Sequence, residues 1–400
     1  MATSPTRVLA LSLLTVNTGS SSLKVALYRI GASEELQIAI LADRIGRDDG
    51  RLRATDRQGM VLLDQACGFA NHEAALAAAL DWLTTEGGVT KIDGVGHRVV
   101  HGGPGYQAPG RVTPDLLESL EAIVAIDPDH LPQALRTIRL IDRRFPSIPQ
   151  VACFDTAFHR TMPPVAQRYP LPKRYWEAGV RRYGFHGLSY EFVSERLRAL
   201  DPGARRVIIA HLGNGASMAA IRDGASVDTT MGFTPVGGLM MSTRSGDLDP
   251  SVPLFLERSL GLSPDGVARL VNTEAGLLGI SETSADMRDL LGRAATDQRA
   301  ADAIDLFCYQ ARKFLGALAV VLGGVDTIVF TGGIGEHAAA IRRRICEGLD
   351  FLGIRLDDAQ NVAGASIISS DDSAVTARVI PTNEELMVAR HTYHVLIEGG

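Results

Sequence analysis

The stretch Val8-Leu9-Ala10-Leu11-Ser12-Leu13-Leu14-Thr15-Val16, then Asn17-Thr18-Gly19-Ser20-Ser21-Ser22, then Leu23-Lys24-Val25-Ala26-Leu27-Tyr28 decides how this chain is read. An apolar run, a small polar loop and a second apolar run spell strand, turn, strand, with Gly19 free to take a positive φ at the bend. Small loop residues let backbone N–H groups converge on an anion, the serine hydroxyls add donors, and Lys24 adds a point charge. The loop is not a P-loop, because GxxxxGK[ST] is absent and no helix is predicted after the turn. Taken alone, the stretch also reads as a solvated hairpin tip.

The pattern returns in mid-chain. Val207–Ala210 runs into His211-Leu212-Gly213-Asn214-Gly215-Ala216-Ser217, and Met218–Ile221 leads to a turn at Asp223-Gly224. A third glycine loop, Thr331-Gly332-Gly333-Ile334-Gly335-Glu336, follows the apolar run Asp326–Phe330. One such loop means little, since turns need glycine; three, each after an apolar strand, fit one nucleotide gripped from several sides. None matches GxGxxG, so a dinucleotide-binding domain is not supported. Helices are predicted after the cap Asn71, from Thr113-Pro114-Asp115 to Ala125, and from Gln298 to Leu322 with Gly323-Gly324 as the stop. Strands that feed glycine loops and then helices make an α/β fold, and the paired strand–loop–strand units suggest two halves of related architecture.

At about 150 residues per domain, a chain of 400 residues holds two to three domains. Hydrophobic residues at 46% and charged residues at 22% exclude a disordered or fibrous chain. A formal charge of −6 leaves no basic field for a polyanion, so no nucleic-acid partner is expected. Only Lys24, Lys91, Lys173 and Lys313 are lysine, so a lysine inside a polar motif stands out. Cys67, Cys153, Cys308 and Cys346 form no CxxC pair and show no zinc spacing, which predicts a reducing cytoplasm. Arg7 and the apolar run after it imitate a signal peptide but lack a cleavage site, and no apolar stretch reaches the roughly 20 residues that span a bilayer. A soluble protein with no membrane partner is expected.

Other motifs set reactive side chains at strand ends. Gly96-His97-Arg98-Val99-Val100-His101-Gly102-Gly103 and Met240-Met241-Ser242-Thr243-Arg244-Ser245-Gly246-Asp247 each carry an arginine, whose planar fork suits carboxylate or phosphoryl oxygens. Asp155 stands where Val151–Phe154 runs out, placed either to hold Mg²⁺ or its waters or to cap a turn. His186 lies between glycines in Tyr183-Gly184-Phe185-His186-Gly187, open to a ligand or structural. Pro381-Thr382-Asn383-Glu384-Glu385 starts a last helix with acids at its positive end.

In order and spacing, VNTGSSSLK, GHRVVHGG, FDTAFH, YGFHGLSY, HLGNGAS, MGFTP, LMMSTRSGDLDP, FTGGIGE and PTNEEL resemble the acetate kinase (short-chain acyl kinase) family. The resemblance implies an α/β fold of two duplicated actin-like ATPase (ribonuclease H-like) domains with a cleft between them. Residues 1–150, joined by a C-terminal helix at about 383–400, would form the first, and residues 151–382 the nucleotide-binding second. It implies reversible transfer of the ATP γ-phosphoryl group to acetate, giving acetyl phosphate and ADP. Mg²⁺, or Mn²⁺ in its place, would be the cofactor, and the enzyme a cytoplasmic homodimer. Carried over position by position, Asn17 and Glu384 are the metal-associated residues. Arg98, Val100, His130, Phe185 and Pro235 bind the acid, and Asp155, His186 and Arg244 are catalytic. The nucleotide falls to Lys24, to His211, Leu212, Gly213, Asn214 and Gly215, to Asp286, Met287 and Arg288, and to Gly333, Ile334, Gly335, Glu336 and His337.

Acetate is already ionised at neutral pH, so Asp155 is expected to organise Mg²⁺ and its waters rather than to act as a base. The chain also departs from the family pattern. Asp129 replaces a leucine of the apolar acid pocket, Val236-Gly237 a Leu-Glu pair, Ser242 a glycine and His337 an asparagine. These departures keep a sibling kinase for propionate or another short-chain carboxylate as the nearest alternative. An ATP-driven binding protein of the same superfold is the more distant one.

Overall fold

The computed structural model describes residues 9–19 and 21–398; Val8 and Ser20 of the opening stretch, and Arg7 before it, lie outside them. The chain divides into two compact units, one made of the residues up to Ala157 with those from Asn383 onward, the other Phe158–Thr382.

The first unit is built on β1 (Leu11–Thr18), β2 (Leu23–Ile30), β3 (Glu34–Asp43), β4 (Arg51–Asp56), β5 (Val61–Ala66), β6 (Gly94–Val99), β7 (Gly110–Arg111) and β8 (Gln150–Phe154). Their order in the sheet is β5-β4-β3-β2-β1-β6-β8-β7. β1 to β5 form an antiparallel meander, while β6 joins β1 and β8 joins β6 in parallel. β1 is covered on both faces, as its near-continuous apolar run requires. Asn71 caps the helix His72–Thr84 by accepting from the Ala74 N–H at 2.9 Å. That helix sets Leu76, Leu80 and Leu83 against Leu14, Val16 and Val95 on one face. The helix Glu384–Glu398 closes the other face, with Ala389 among Leu11, Leu13, Ala26 and Tyr28. It lies so close that a Cβ on Gly96 would stand 2.1 Å from Thr392 Oγ1, so β6 needs glycine there. β8 pairs with β6 from Gln150 to Phe154, so a division at 150/151 would part it from its ladder.

The second unit repeats the plan with β9 (Arg206–Leu212), β10 (Ala216–Arg222), β11 (Ala225–Thr229), β12 (Thr327–Thr331) and β13 (Thr376–Val379), ordered β11-β10-β9-β12-β13. The first three are antiparallel; β12 runs parallel to β9, and β13 to β12. With β4, β5 and β7 set aside, the first sheet reads β3-β2-β1-β6-β8 with the same directions. The repeat hinted at by two similar loops is therefore a repeat of sheet order, and each unit is ribonuclease H-like, as in actin-like folds. The long helix Gln298–Leu322 runs between the predicted ends, capped by Asp297 and stopped at Gly323. The helix from Thr113-Pro114 ends at Ala122, three residues before its predicted end.

In each unit three adjacent strands run parallel, and their carboxyl ends share one edge. That edge is where open α/β sheets bind ligands. Among the described residues no helix is long and apolar enough to cross a membrane.

Candidate active site

In the first unit the parallel strand ends deliver Asn17, Arg98 and Asp155. Arg98 Nε donates to both Asp155 oxygens at 3.2 and 3.1 Å, and its Nη2 donates to Oδ2 at 2.6 Å. Its Nη1 donates to Asn17 Oδ1 at 3.0 Å and lies 3.5 Å from Glu384 Oε2. Asn17 Nδ2 in turn donates to Glu384 Oε2 at 3.3 Å and to Glu385 Oε1 at 3.1 Å. Lys24, opposite Asn17 in the hairpin, pairs with Glu385 at 3.2 Å. Two cations, three carboxylates and one amide thus form a single network.

Burial alone would lower the Arg98 pKa, but the Asp155 and Glu384 carboxylates outweigh it and hold it above the ordinary arginine value. The Lys24 ammonium is likewise raised, by Glu385 against the opposing effect of burial. Both groups are permanent cations. Arg98 keeps 15% of its side-chain surface open, so the side chain is not wholly sealed off by Asp155, Asn17 and Glu384.

Among the described residues no group of three or more His, Cys, Asp or Glu stands in metal-ligand arrangement. The donors near Arg98 are all oxygens, from Asn17, Glu384 and Asp155. Such a hard set fits Mg²⁺, which takes one or two carboxylates and completes its shell with phosphate oxygens and water; Mn²⁺ accepts the same ligands.

In the second unit the strand ends deliver loops instead of charges. Gly213 N donates to Gly215 O at 3.0 Å to close the β9–β10 turn. β12 runs into the short helix Gly332–His337, where Gly332 takes φ +77° and a Cβ would stand 2.8 Å from Leu212 O. Only glycine combines that φ with that approach. The two loops lie side by side, with Gly333 N 4.0 Å from the Cβ position of Gly213.

His186 stands beside them in the left-handed region at φ +58°, a strain of about 1–2 kcal/mol of the kind that collects at functional sites. His159 pins the peptide before it, its Nε2–H donating to Phe185 O at 3.0 Å while Nδ1 accepts from Ser226 Oγ at 2.8 Å. Burial pushes the His159 pKa down to about 4, so the ring is neutral and has only that one N–H. His186 Nδ1 bonds Ser217 Oγ at 2.8 Å, and the same hydroxyl meets Tyr190 OH. The His186 ring stacks on His211 with centroids 4.2 Å apart, and His211 Nδ1 bonds Ser189 Oγ at 2.8 Å.

A Cβ on Gly215 would stand 3.1 Å from His186 Nε2 and 3.6 Å from Arg244 Nη1. The missing side chain leaves a small space reached by an imidazole and a guanidinium. Arg244 is held by donating to Pro235 O at 3.2 Å, and Asn214 by the Ser242 N–H on its carbonyl at 3.2 Å. Such fixed donors can stabilise charge that grows on phosphoryl oxygens.

Other sequence-predicted residues are not drawn in. Asp286 caps the helix Met287–Arg293 by accepting from Arg288 N at 2.8 Å, Met287 is buried, and Arg288 is exposed and pairs with Asp286. None of the three hydrogen-bonds to the glycine loops. His337 is exposed at the end of its helix. Val100 and His130 belong to the first unit, Phe185 and Pro235 to the second. His130 donates from Nδ1 to Asp127 Oδ1 at 2.7 Å. Asp129 is exposed while Asp127 is buried, so the departure at 129 puts no carboxylate into the interior. Sequence reasoning passed over Glu385, His159, Ser189, Tyr190 and Ser217. The Glu-Glu doublet at the helix start was a signal for the first; His159, Tyr190 and Ser217 lay inside quoted motifs with nothing to rank them.

Paired ribonuclease H-like sheets, one ending in a carboxylate–guanidinium network and the other in a glycine-loop cradle, define a phosphotransferase of the actin-like ATPase fold. The chain belongs to the acetokinase family, whose model matches residues 12–390. It is 44% identical to an acetate kinase of Rhodopseudomonas palustris over 97% of this chain and 99% of that one. It is 42% identical to a propionate kinase of Citrobacter rodentium over 96% of this chain and 97% of that one. The crystal structure of Porphyromonas gingivalis acetate kinase matches it with a TM-score of 0.86 at 37% identity, over 96% of this chain and 100% of that one. That of a propionate kinase from Francisella tularensis matches with a TM-score of 0.89 at the same identity and coverage.

Proposed function

We propose that the chain transfers the γ-phosphoryl group of ATP reversibly to acetate, giving acetyl phosphate and ADP, with propionate as the nearest alternative acceptor. The observation that carries this reading is Arg98 at the carboxyl end of a central strand, forked onto Asp155 and still partly exposed. An anionic acid binds at that guanidinium with one oxygen oriented for attack, and it needs no general base. Asp155 has both oxygens on Arg98 and mainly aligns the guanidinium. The emphasis therefore moves from the metal, the role expected from sequence, to the arginine.

Asn17 and Glu384 are the residues that would hold Mg²⁺, with Mn²⁺ as its substitute. When bound, the ion supplies positive charge to the phosphate oxygens. In the second unit, backbone N–H groups of Gly213 to Gly215 and of Gly333 to Gly335 bind the nucleotide phosphates, and His186 and Arg244 stabilise the charge of the transferred group. Asp286 to Arg288, outside the hydrogen-bonded cradle, would contact the base or ribose.

The four cysteines are all free thiols, which suits the cytoplasm. A homodimer is supported by the helix Ser251–Leu260, which is apolar yet buries none of its residues and leaves Leu254 and Phe255 exposed. A second copy covering that helix would explain it.

Incubation with Mg²⁺-ATP, hydroxylamine and a single acid tests the reading, since hydroxylamine traps an acyl phosphate as a coloured hydroxamate. The strongest colour is expected with acetate. Strongest colour with propionate would move the substrate and keep the mechanism, and ATP hydrolysis without hydroxamate from any acid would refute it.

A further inference from the structure

Arg342 is almost completely buried, yet among the described residues no carboxylate pairs with it. Burial of an unpaired guanidinium is costly unless its hydrogens are met, and here neutral acceptors meet them. Nη1 donates to the carbonyls of Gly335 and Glu336 at 2.9 and 2.8 Å. Nε donates to Asn361 Oδ1 at 2.8 Å, and Nη2 to the Asn361 carbonyl at 2.6 Å. Asn361 completes the tie by donating from Nδ2 to Ala339 O at 2.9 Å.

The carbonyls of Gly335 and Glu336 belong to the helix Gly332–His337. At six residues it is all termini, too short to hold its own shape. Side chains hold it from both ends. The Glu336 carboxylate accepts from the Gly332 N–H at 3.0 Å at the amino end and from Thr382 N at 3.3 Å. The Arg342 cation sits on the carbonyls of the carboxyl end, where a helix dipole favours positive charge. Between these anchors Gly333 faces open space, with nothing within 4 Å of its Cβ position.

We infer that Arg342, with Asn361 behind it, is a positioning residue for the nucleotide: it fixes the carbonyl end of the Gly332–His337 helix so that the amide end keeps its aim. The inference rests on reading that loop as a nucleotide site. A lysine keeps the charge but cannot spread over three carbonyls and an amide, so charge alone does not restore the clamp.

The test is equilibrium binding of ADP together with steady-state kinetics. Arg342→Lys is expected to weaken ADP about tenfold, the scale of one lost charged hydrogen bond. The KM for ATP should rise in step, while kcat and the KM for the acid stay within about twofold. Asn361→Leu should repeat the loss, and Asn361→Asp, which keeps the acceptor for Nε, should largely restore ADP binding. Gly333→Val, whose side chain enters open space, should also weaken ADP. If it does and both Arg342→Lys and Asn361→Leu bind ADP normally, the positioning role is overturned. If Gly333→Val binds ADP normally, the nucleotide reading of the loop fails first and takes the inference with it.

Discussion

The hairpin loops that open the two sheets occupy the same place in the same strand order and carry opposite chemistry. Around the β1–β2 loop, Asn17 and Lys24 join Arg98, Asp155, Glu384 and Glu385 in a network of full charges. Around the β9–β10 loop there are backbone amides, two stacked imidazoles, and a guanidinium held by a carbonyl. The duplicated scaffold supplies three strand ends twice. What differs is whether those ends carry charged side chains, to which the proposed function gives a small anion and a metal, or glycines, to which it gives phosphates. Fold alone therefore does not say which unit does which work; the loop chemistry does.

The comparison is broken most severely by removing Arg98. Arg98→Ala leaves Asp155, Glu384 and Asn17 without their shared donor, and kcat/KM for the acid should fall at least a thousandfold, about 4 kcal/mol of transition-state stabilisation. Steady-state kinetics that show less than a tenfold loss would remove Arg98 from the acid site. Next comes Gly215→Val, whose side chain would push on His186 and Arg244; a loss of about 2–3 kcal/mol, roughly a hundredfold in turnover, is expected. Full activity in that variant would mean the space beside Gly215 is not where charge develops.

Asp155→Asn sharpens the account of the first unit. Turnover should drop about tenfold to a hundredfold while the Mg²⁺ concentration for half-maximal rate stays within about twofold, because the carboxylate mainly aligns Arg98. A large shift in the Mg²⁺ requirement would return Asp155 to the metal.

The smallest effect is on stability, and it should be shared by the two units. Burial holds His97, whose Nε2–H donates to Gln150 at 2.7 Å, and His159 neutral, with both pKa values pushed down to about 4. The unfolded chain takes up those protons near pH 6.5, so it gains protons first on acidification. Stability should be whole above about pH 6.5 and fall as pH drops toward 4, by about 1 kcal/mol for each histidine at about pH 5.5. Denaturant unfolding at the two pH values checks this, and an unchanged free energy would contradict neutral burial.

Much of this was legible in the sequence, unevenly. The apolar runs on either side of Asn17–Ser22 and of Gly213–Gly215 announced both hairpins, and the spacing of Ile304, Phe307, Ala311 and Leu315 announced the long helix. β3 to β5 passed unread because an edge strand such as β5 exposes nearly every residue and carries no apolar stripe. The partners of Arg98 depended on a helix more than 280 residues away, and no local pattern links Asn17 to Glu385. His159 and Ser217 act through a neighbour's geometry, so their residue types gave no sign of their roles. The left-handed turn at His186 was only hinted at by its flanking glycines.

Division of labour between the two loops is the central claim, and equilibrium binding of ADP to Arg98→Ala and Gly215→Val tests it most directly. Arg98→Ala should bind ADP within about threefold of the native protein, while Gly215→Val should lose at least about tenfold. Equal loss of ADP affinity in both variants would contradict it.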